Sequence, residues 1–369
     1  MITKTVFPGK YIQGRNALAQ TGKEAAAFGG HVFMLCSPSA FRNILPRIKQ
    51  NISRDMKLTA LEFGRECSDS EIDRVVKAAK KAGCDVMAGM GGGKTLDTAR
   101  IAADRLGLPV INIPTIASTD APTSAVSVVY KENGSFDRVL FLKSNPQAVL
   151  VDTDVIAAAP ARFLVSGMGD ALSTWFEAQS CSASGSLNVA GGYPSMTGLA
   201  IARLCYDTLL KFGTLAKTAN ENGCVVPAFE HIVEANILLS GLGFESGGLG
   251  AAHAIHNGLT ALPETHGMYH GEKVAFGVLT SLFLTDKPAD IIEEVYSFCE
   301  SIGLPTTFGE LGLPQDISDC ALMKAARKSC APVESIHNEP VTVSPETVLA
   351  AIKTASAFGT ERRRRRERN

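Results

Sequence analysis

The sequence predicts an α/β N-terminal domain over residues 1–160 and an all-helical C-terminal domain over residues 161–369. Three observations predict it. Short apolar runs alternate with helical patterns through the first 150 residues, which implies a mostly parallel sheet with helices on its faces. Strand signals largely vanish after about residue 160, where long amphipathic or wholly apolar helical patterns take over. A run of three glycines, Gly91 to Gly93, sits where a strand ends and a helix begins.

The elements follow in order. Val32 to Leu35 is a strand, closed by a Ser-Pro-Ser turn, and a helical pattern runs from Phe41 to Gln50. Leu58 to Phe63 is a second strand. Ser68-Asp-Ser-Glu71 has the form of a helix N-cap and opens a helix reaching Lys81. Asp85 to Gly89 is a strand, Lys94 to Leu106 a helix, and Pro109 to Ile113 a buried strand. Val126 to Tyr130 and Arg138 to Leu142 flank Asn133-Gly134, a strong hairpin signal. Helices are then expected at 160–179, 197–212, 226–242, 249–262, 274–284 and 291–302.

Composition narrows the class. Of 369 residues, 45% are apolar and 20% charged, as in a soluble globular protein. The longest apolar stretches, such as Val274 to Leu284, are too short to span a bilayer. The N-terminus lacks the apolar core of a signal peptide, so a cytoplasmic protein without membrane partners is expected. The nine cysteines are scattered, without a Cys-x-x-Cys pair, which fits a reducing compartment and argues against a thiolate zinc site. Net charge is −1, but residues 361–369 hold six Arg and two Glu. Arg362 to Arg366 could bind nucleic acid. With no aromatic interleaving and no second basic patch, a solvated, disordered tail over residues 362–369 is expected instead, and no nucleic-acid partner.

Two loops suggest a nucleotide site. In Met90-Gly-Gly-Gly-Lys-Thr-Leu-Asp97, glycines let backbone approach a phosphate, and the helix N-terminus offers free N–H groups. Lys94 adds charge. The spacing is neither Gly-x-Gly-x-x-Gly nor a Walker A loop, and a turn with only a packing role is the competing reading. The next strand ends in the hydroxyl-rich segment Pro114 to Ser124. Ligands of open α/β sheets collect at the carboxyl ends of strands, giving the N-terminal domain a Rossmann-like character.

Four of the seven histidines, His253, His256, His266 and His270, fall within 18 residues. Histidine is the commonest metal ligand. His253 and His256 share a helix face, and Gly271 gives the chain freedom to turn after His270. Two histidines need a third ligand, and a carboxylate suits a catalytic zinc. Asp170 is the candidate: it follows Gly167-Met-Gly169 in an apolar helical stretch, where an unpaired carboxylate would be costly. A helix cap beside those glycines is the alternative role for Asp170.

Six segments together resemble the glycerol dehydrogenases, the zinc-using branch of the iron-containing alcohol dehydrogenase family. They are GGGKTLDTA at 91–99, PTIASTDAP at 114–122, GMGDAL at 167–172, GFESGGL at 243–249, HAIHNGLT at 253–260 and HGEKVAFG at 270–277. The resemblance runs from Pro8 to about residue 358. It implies the dehydroquinate synthase-like architecture of that family, NAD as cofactor and one Zn²⁺ per subunit.

It places the metal on Asp170, His253 and His270, which also meet the substrate. His256 becomes a neighbour of the site and, with Asp120, a candidate catalytic residue; His266 lies in a loop. Asp120 falls where the family contacts the polyol. Cofactor contacts fall on Gly92, Gly93, Lys94, Asp97, Thr115, Ser118, Ser124, Val126 and Tyr130. Ser37 stands where the family usually has an Asp for the adenosine ribose, and Arg42 is close in sequence. NAD is therefore expected to be preferred over NADP by a reduced margin.

The activity implied is metal-assisted, NAD-dependent oxidation of glycerol to dihydroxyacetone and its reverse. The nearest rivals on this fold are another polyol dehydrogenase, a glycerol-1-phosphate dehydrogenase or a dehydroquinate-synthase-like lyase. A phosphorylated substrate calls for several Lys or Arg near the metal, yet Lys273 is the only one between residues 243 and 277. The resemblance also implies a homo-oligomer, an octamer among the forms it admits.

Overall fold

Six parallel strands make the main sheet of the computed structural model, which describes residues 1–53 and 55–368. They are β1 (Tyr11–Gly14), β2 (His31–Cys36), β3 (Lys57–Glu62), β4 (Val86–Gly91), β5 (Val110–Pro114) and β8 (Ala148–Asp152), in the order β1-β8-β5-β4-β2-β3. Strands β6 (Val126–Tyr130) and β7 (Phe136–Phe141) form a separate antiparallel hairpin. The turn between them spans Asn133-Gly134, with Gly134 at φ +80°.

The sheet is covered on both faces, which is why its strands read as unbroken apolar runs. Val32, Met34 and Cys36 join one core cluster, while Phe33 and Leu35 of the same strand join another. From β2 the chain steps to β3 on one side, then crosses to β4 on the other. Ligand sites of open α/β sheets form at such a switch point, here the carboxyl ends of β2 and β4, at Ser37 and Gly91.

Contacts divide the chain into two units. One holds Phe7–Ala161 with Ala219–Gly241; the other holds Met1–Val6, Arg162–Thr218 and Leu242–Asn369. The second unit is helical: it takes in Ala251–Leu259, His270–Leu284, Ala289–Ile302, Asp319–Ser329 and Pro345–Arg368 whole, and all but one end of Ala161–Ser184 and of Met196–Glu221. Among the described residues, no helix is long and apolar enough to cross a membrane.

Three expectations change. The helix at 41–50 is two, Pro38–Asn43 and Leu45–Asn51, because Pro46 has no N–H to donate to the Arg42 carbonyl and its ring crowds that carbonyl, while proline is well tolerated in the first turn of a new helix. The helix expected at 226–242 is interrupted by a π turn at Ala235–Leu239 and continues as Ser240–Gly247. The arginine tail, expected to be disordered, continues the last helix through Arg368. Acidic side chains from earlier in the chain explain it. Arg362 pairs with Glu293 and, at 2.9 Å, with Glu300, and lies over the rings of Tyr296 and Phe358. Arg366 also pairs with Glu300, and Arg363 with Glu310. Asn369 lies outside the described residues.

Candidate active site

Three helices build a polar cluster in the helical unit. Asp170 lies inside the helix Ala161–Ser184 and is fully buried, so it is not a cap. His253 sits on Ala251–Leu259, and His270 opens His270–Leu284. His253 Nε2 and His270 Nε2 approach the same Asp170 oxygen, at 3.4 and 3.1 Å. One ligand atom from each of the three residues lies within 4.8 Å of the others.

Glycines let these helices meet. A Cβ on Gly271 would stand 1.7 Å from the Ser166 carbonyl oxygen, and one on Gly169 2.3 Å from that of Gly271. The Asp170 and His270 helices therefore cross backbone against backbone. Gly271 serves this close approach, not a chain turn: it lies inside the helix, outside the positive-φ glycines.

Buried groups behind the cluster orient it. Glu177, two helical turns after Asp170, accepts from the His253 backbone N–H at 2.9 Å and faces His253 Nδ1 at 2.7 Å. Glu339 accepts from the Ala251 N–H at 2.6 Å. These two carboxylates satisfy the free N–H groups at the start of the histidine helix and complement its dipole. His270 Nδ1 lies 3.0 Å from His256 Nε2, and His256 Nδ1 lies 3.0 Å from Asn257 Oδ1. Asn257 donates in turn to Glu334 at 2.8 Å. With protons on both Nδ1 atoms of the pair, the bonds run in one direction from His270 to Glu334. His256 thus positions His270. His266 stands apart, its ring against the Thr260 carbonyl.

This donor set suits a divalent cation. Two ligands about 2.1 Å from one ion, at tetrahedral to octahedral angles, lie about 3.0–3.4 Å from each other. The carboxylate–histidine spacings are 3.1 and 3.4 Å. Both Nδ1 atoms are engaged elsewhere, which leaves both Nε2 atoms facing Asp170. Burial alone would raise the Asp170 carboxyl; the His270 charge and hydrogen bonds from both histidines hold it far below its ordinary value. Burial opposes a charged His253, but Glu177 and Asp170 outweigh it and raise that pKa well above the usual one. His256 is pushed well down, by burial first and then by the charges of His270, Lys273 and His253.

The glycine turn belongs to the sheet unit. Gly91 is needed for packing: a Cβ there would lie 2.8 Å from Thr95 Oγ1 and 2.9 Å from Ser37 Cβ. Gly93, first residue of the helix Gly93–Leu106, faces open space, as a phosphate cradle requires. Lys94 reaches Glu66 at 2.7 Å and lies 4.4 Å above the Tyr130 ring. Asp97 is buried in an ion pair with Arg100, whose guanidinium donates to the carbonyls of Ala121 (2.9 Å) and Ser124 (2.5 Å). This buried arginine rivets the hydroxyl-rich loop to the helix. Ser124 Oγ bonds within its own loop, to the Ala121 carbonyl at 3.2 Å. Thr115 donates its N–H to Gly91, placing it beside the turn; Gly92, Ser118 and Val126 are half-buried. Ser37 Oγ caps the helix Pro38–Asn43 by accepting from Ala40 N–H at 3.4 Å. Asp120 is nearly buried and accepts from Ser240 Oγ at 2.7 Å.

Glu177, Glu66, Arg100, Asn257 and Ser240 were not singled out in the sequence. Glu177 had a signal: it falls seven residues after Asp170, on the same face of an apolar helix.

An open glycine turn at a helix start in the sheet unit and a buried Asp-His-His cluster in the helical unit are what a metal-assisted dehydrogenase needs, and residues 8–153 match the family described as iron-containing alcohol dehydrogenase. The chain is 55% identical to a glycerol dehydrogenase of Thermotoga maritima over 98% of its own length and 99% of the relative's. It is 48% identical to one of Citrobacter freundii, covering 95% and 96%. The crystal structure of glycerol dehydrogenase from Schizosaccharomyces pombe superimposes with a TM-score of 0.94 at 41% identity, covering 98% of this chain and 92% of that one. The chain belongs to the glycerol dehydrogenases, within the iron-containing alcohol dehydrogenase family.

Proposed function

We propose that this protein oxidises glycerol to dihydroxyacetone with NAD as hydride acceptor, and catalyses the reverse reaction, with Zn²⁺ held by Asp170, His253 and His270. The observation that carries the reading is the convergence of two histidine Nε2 atoms on one buried carboxylate oxygen. When bound, the cation supplies Lewis acidity that acidifies a hydroxyl group, and the nicotinamide takes the hydride.

The chain's own residues supply position and charge. Glu177 and His256 fix the ring orientation of His253 and His270. Asp120 accepts from a second substrate hydroxyl and so selects a diol over a simple alcohol. The open helix start at Gly92 and Gly93 takes the pyrophosphate, with Lys94 adding charge, and Thr115, Ser118, Ser124, Val126 and Tyr130 line the rest of the cofactor. Asp97 acts through Arg100, holding the loop that carries these side chains. A phosphorylated substrate is disfavoured, since Lys273 is itself buried. The nine free cysteines support a cytoplasmic protein. Exposed Phe136, Phe141, Leu204 and Leu215 support a homo-oligomer.

Ser37 sets the cofactor margin. Serine and aspartate cap a helix equally well, so capping alone does not require serine there. Glycerol oxidation is expected to show a higher kcat/KM with NAD than with NADP. Ser37→Asp should widen the ratio about tenfold, the effect of one charge-assisted hydrogen bond to the ribose. A higher specificity constant with NADP contradicts the assignment.

A further inference from the structure

The π turn at Ala235–Leu239 grips the loop that carries Asp120 at three points. Asn236 Nδ2 donates to the Ala117 carbonyl at 3.0 Å. Thr123 Oγ1 donates to the Ile237 carbonyl at 3.1 Å. Ser240 Oγ donates to Asp120 Oδ2 at 2.7 Å, and Ser240 is fully buried. The Ser240 N–H bonds to the Ala235 carbonyl five residues back, which is the widened turn itself. Next to it, a Cβ on Gly241 would fall 1.9 Å from Thr123 Oγ1 and 2.8 Å from the Asp120 carbonyl oxygen. The helix therefore lies directly against the loop. Extra-residue turns of this kind recur at functional sites, since they break the regular helical phase and re-aim side chains.

We infer that the π turn is the specificity support of the site, and that Ser240 is a positioning residue that holds the Asp120 carboxylate in the orientation that accepts a second substrate hydroxyl. The inference rests on the proposed role of Asp120 in binding the diol. A carboxylate rotates about χ2 with little resistance. Asp120 is only 7% exposed, so water has little access to compete for its oxygens. A neutral hydroxyl donor fixes one oxygen without supplying a counter-charge. The orientation of the carboxylate is thereby set by the protein before substrate arrives. That is preorganisation: the ordering is completed on folding and not at each binding event.

The test compares two substrates, glycerol and propan-2-ol, a secondary alcohol without a second hydroxyl. The ratio of their kcat/KM values is read in Ser240→Ala, Asp120→Ala and the double variant, with thermal midpoints measured alongside. Ser240→Ala is expected to lower the glycerol-to-propan-2-ol ratio about five- to tenfold, mainly through KM for glycerol. Asp120→Ala should lower it further. The double variant should match Asp120→Ala within about twofold, because a residue that acts through Asp120 has nothing left to orient. Equal losses on both substrates in Ser240→Ala would reduce the serine to a structural role and overturn the inference. So would multiplicative effects in the double variant. An unchanged ratio in Asp120→Ala would instead remove the diol-binding role of Asp120, a separate failure. Should Ser240→Ala unfold, Asn236→Ala provides the same comparison from the other anchor of the turn.

Discussion

Replacing Asp170 or His253 with alanine is expected to abolish stoichiometric metal binding and to lower glycerol oxidation by about 10³-fold or more, the several kcal/mol that a metal ion's charge supplies. Three ligands leave an open position for substrate; two do not hold a cation at ordinary concentrations. Asp170→Asn keeps the size of the side chain and serves as the fold control. Glu177→Ala should act more mildly, weakening metal affinity about 10- to 100-fold, as the loss of a carboxylate behind a ligating histidine does. The pH dependence has a definite sign. Burial disfavours a charge on His253, yet Glu177 and Asp170 raise its pKa well above normal. A proton therefore competes with the cation for this ring, and metal binding releases it. Affinity should rise with pH. Metal content measured by atomic emission, beside steady-state rates, checks each variant; a fully active, metal-free His253→Ala protein would remove these residues from the site.

Gly271→Ala is the second large effect. The added Cβ would stand 1.7 Å from the Ser166 carbonyl oxygen and 2.9 Å from the Asp170 nitrogen. Both obstacles are backbone in the middle of helices, so no rotamer change relieves them. The helices must separate, at a cost of at least about 3 kcal/mol. Separation also carries His270 away from Asp170. Thermal midpoint and metal affinity should therefore fall together. A variant that lost stability but bound metal as tightly as the parent would show that the crossing does not set the ligand geometry.

This glycine shows where reading a sequence stops. His270-Gly271 suggested a flexible entry to a helix, because one chain segment carries no information about which backbone passes across it. The long-range partner, Ser166 carbonyl beside Asp170, becomes visible only once the helices pack. The same limit hid Ser240, whose role depends on a π turn that has no pattern of its own. It also made the arginine run look like a frayed end, since Glu293, Glu300 and Glu310 lie some fifty to seventy residues upstream of it.

What periodicity could reach was read well. The buried strands His31–Cys36, Val86–Gly91 and Val110–Pro114 are each within two residues of expectation at either end. Two strands escaped notice. Tyr11–Gly14 has four half-buried residues at the sheet edge, and Ala148–Asp152 is a five-residue run between turns. The first is too short for a period to register; the second is as long and as apolar as Val110–Pro114 and carried the same signal. The grouping of Asp170 with the histidines was legible because chemistry is conspicuous where burial penalises it: a carboxylate within an apolar helix needs a partner. Which two of the four histidines meet it came from the family resemblance, not from the residues themselves.

The most direct test is to strip the protein of metal with a chelator, reload it with Zn²⁺, and measure NAD reduction with glycerol while identifying the product. The stripped protein should be inactive. Zn²⁺ should restore activity in proportion to its binding, with one ion per chain at saturation and dihydroxyacetone as product. Undiminished glycerol oxidation by the stripped protein would contradict the account, as would restored activity on glycerol 1-phosphate in preference to glycerol.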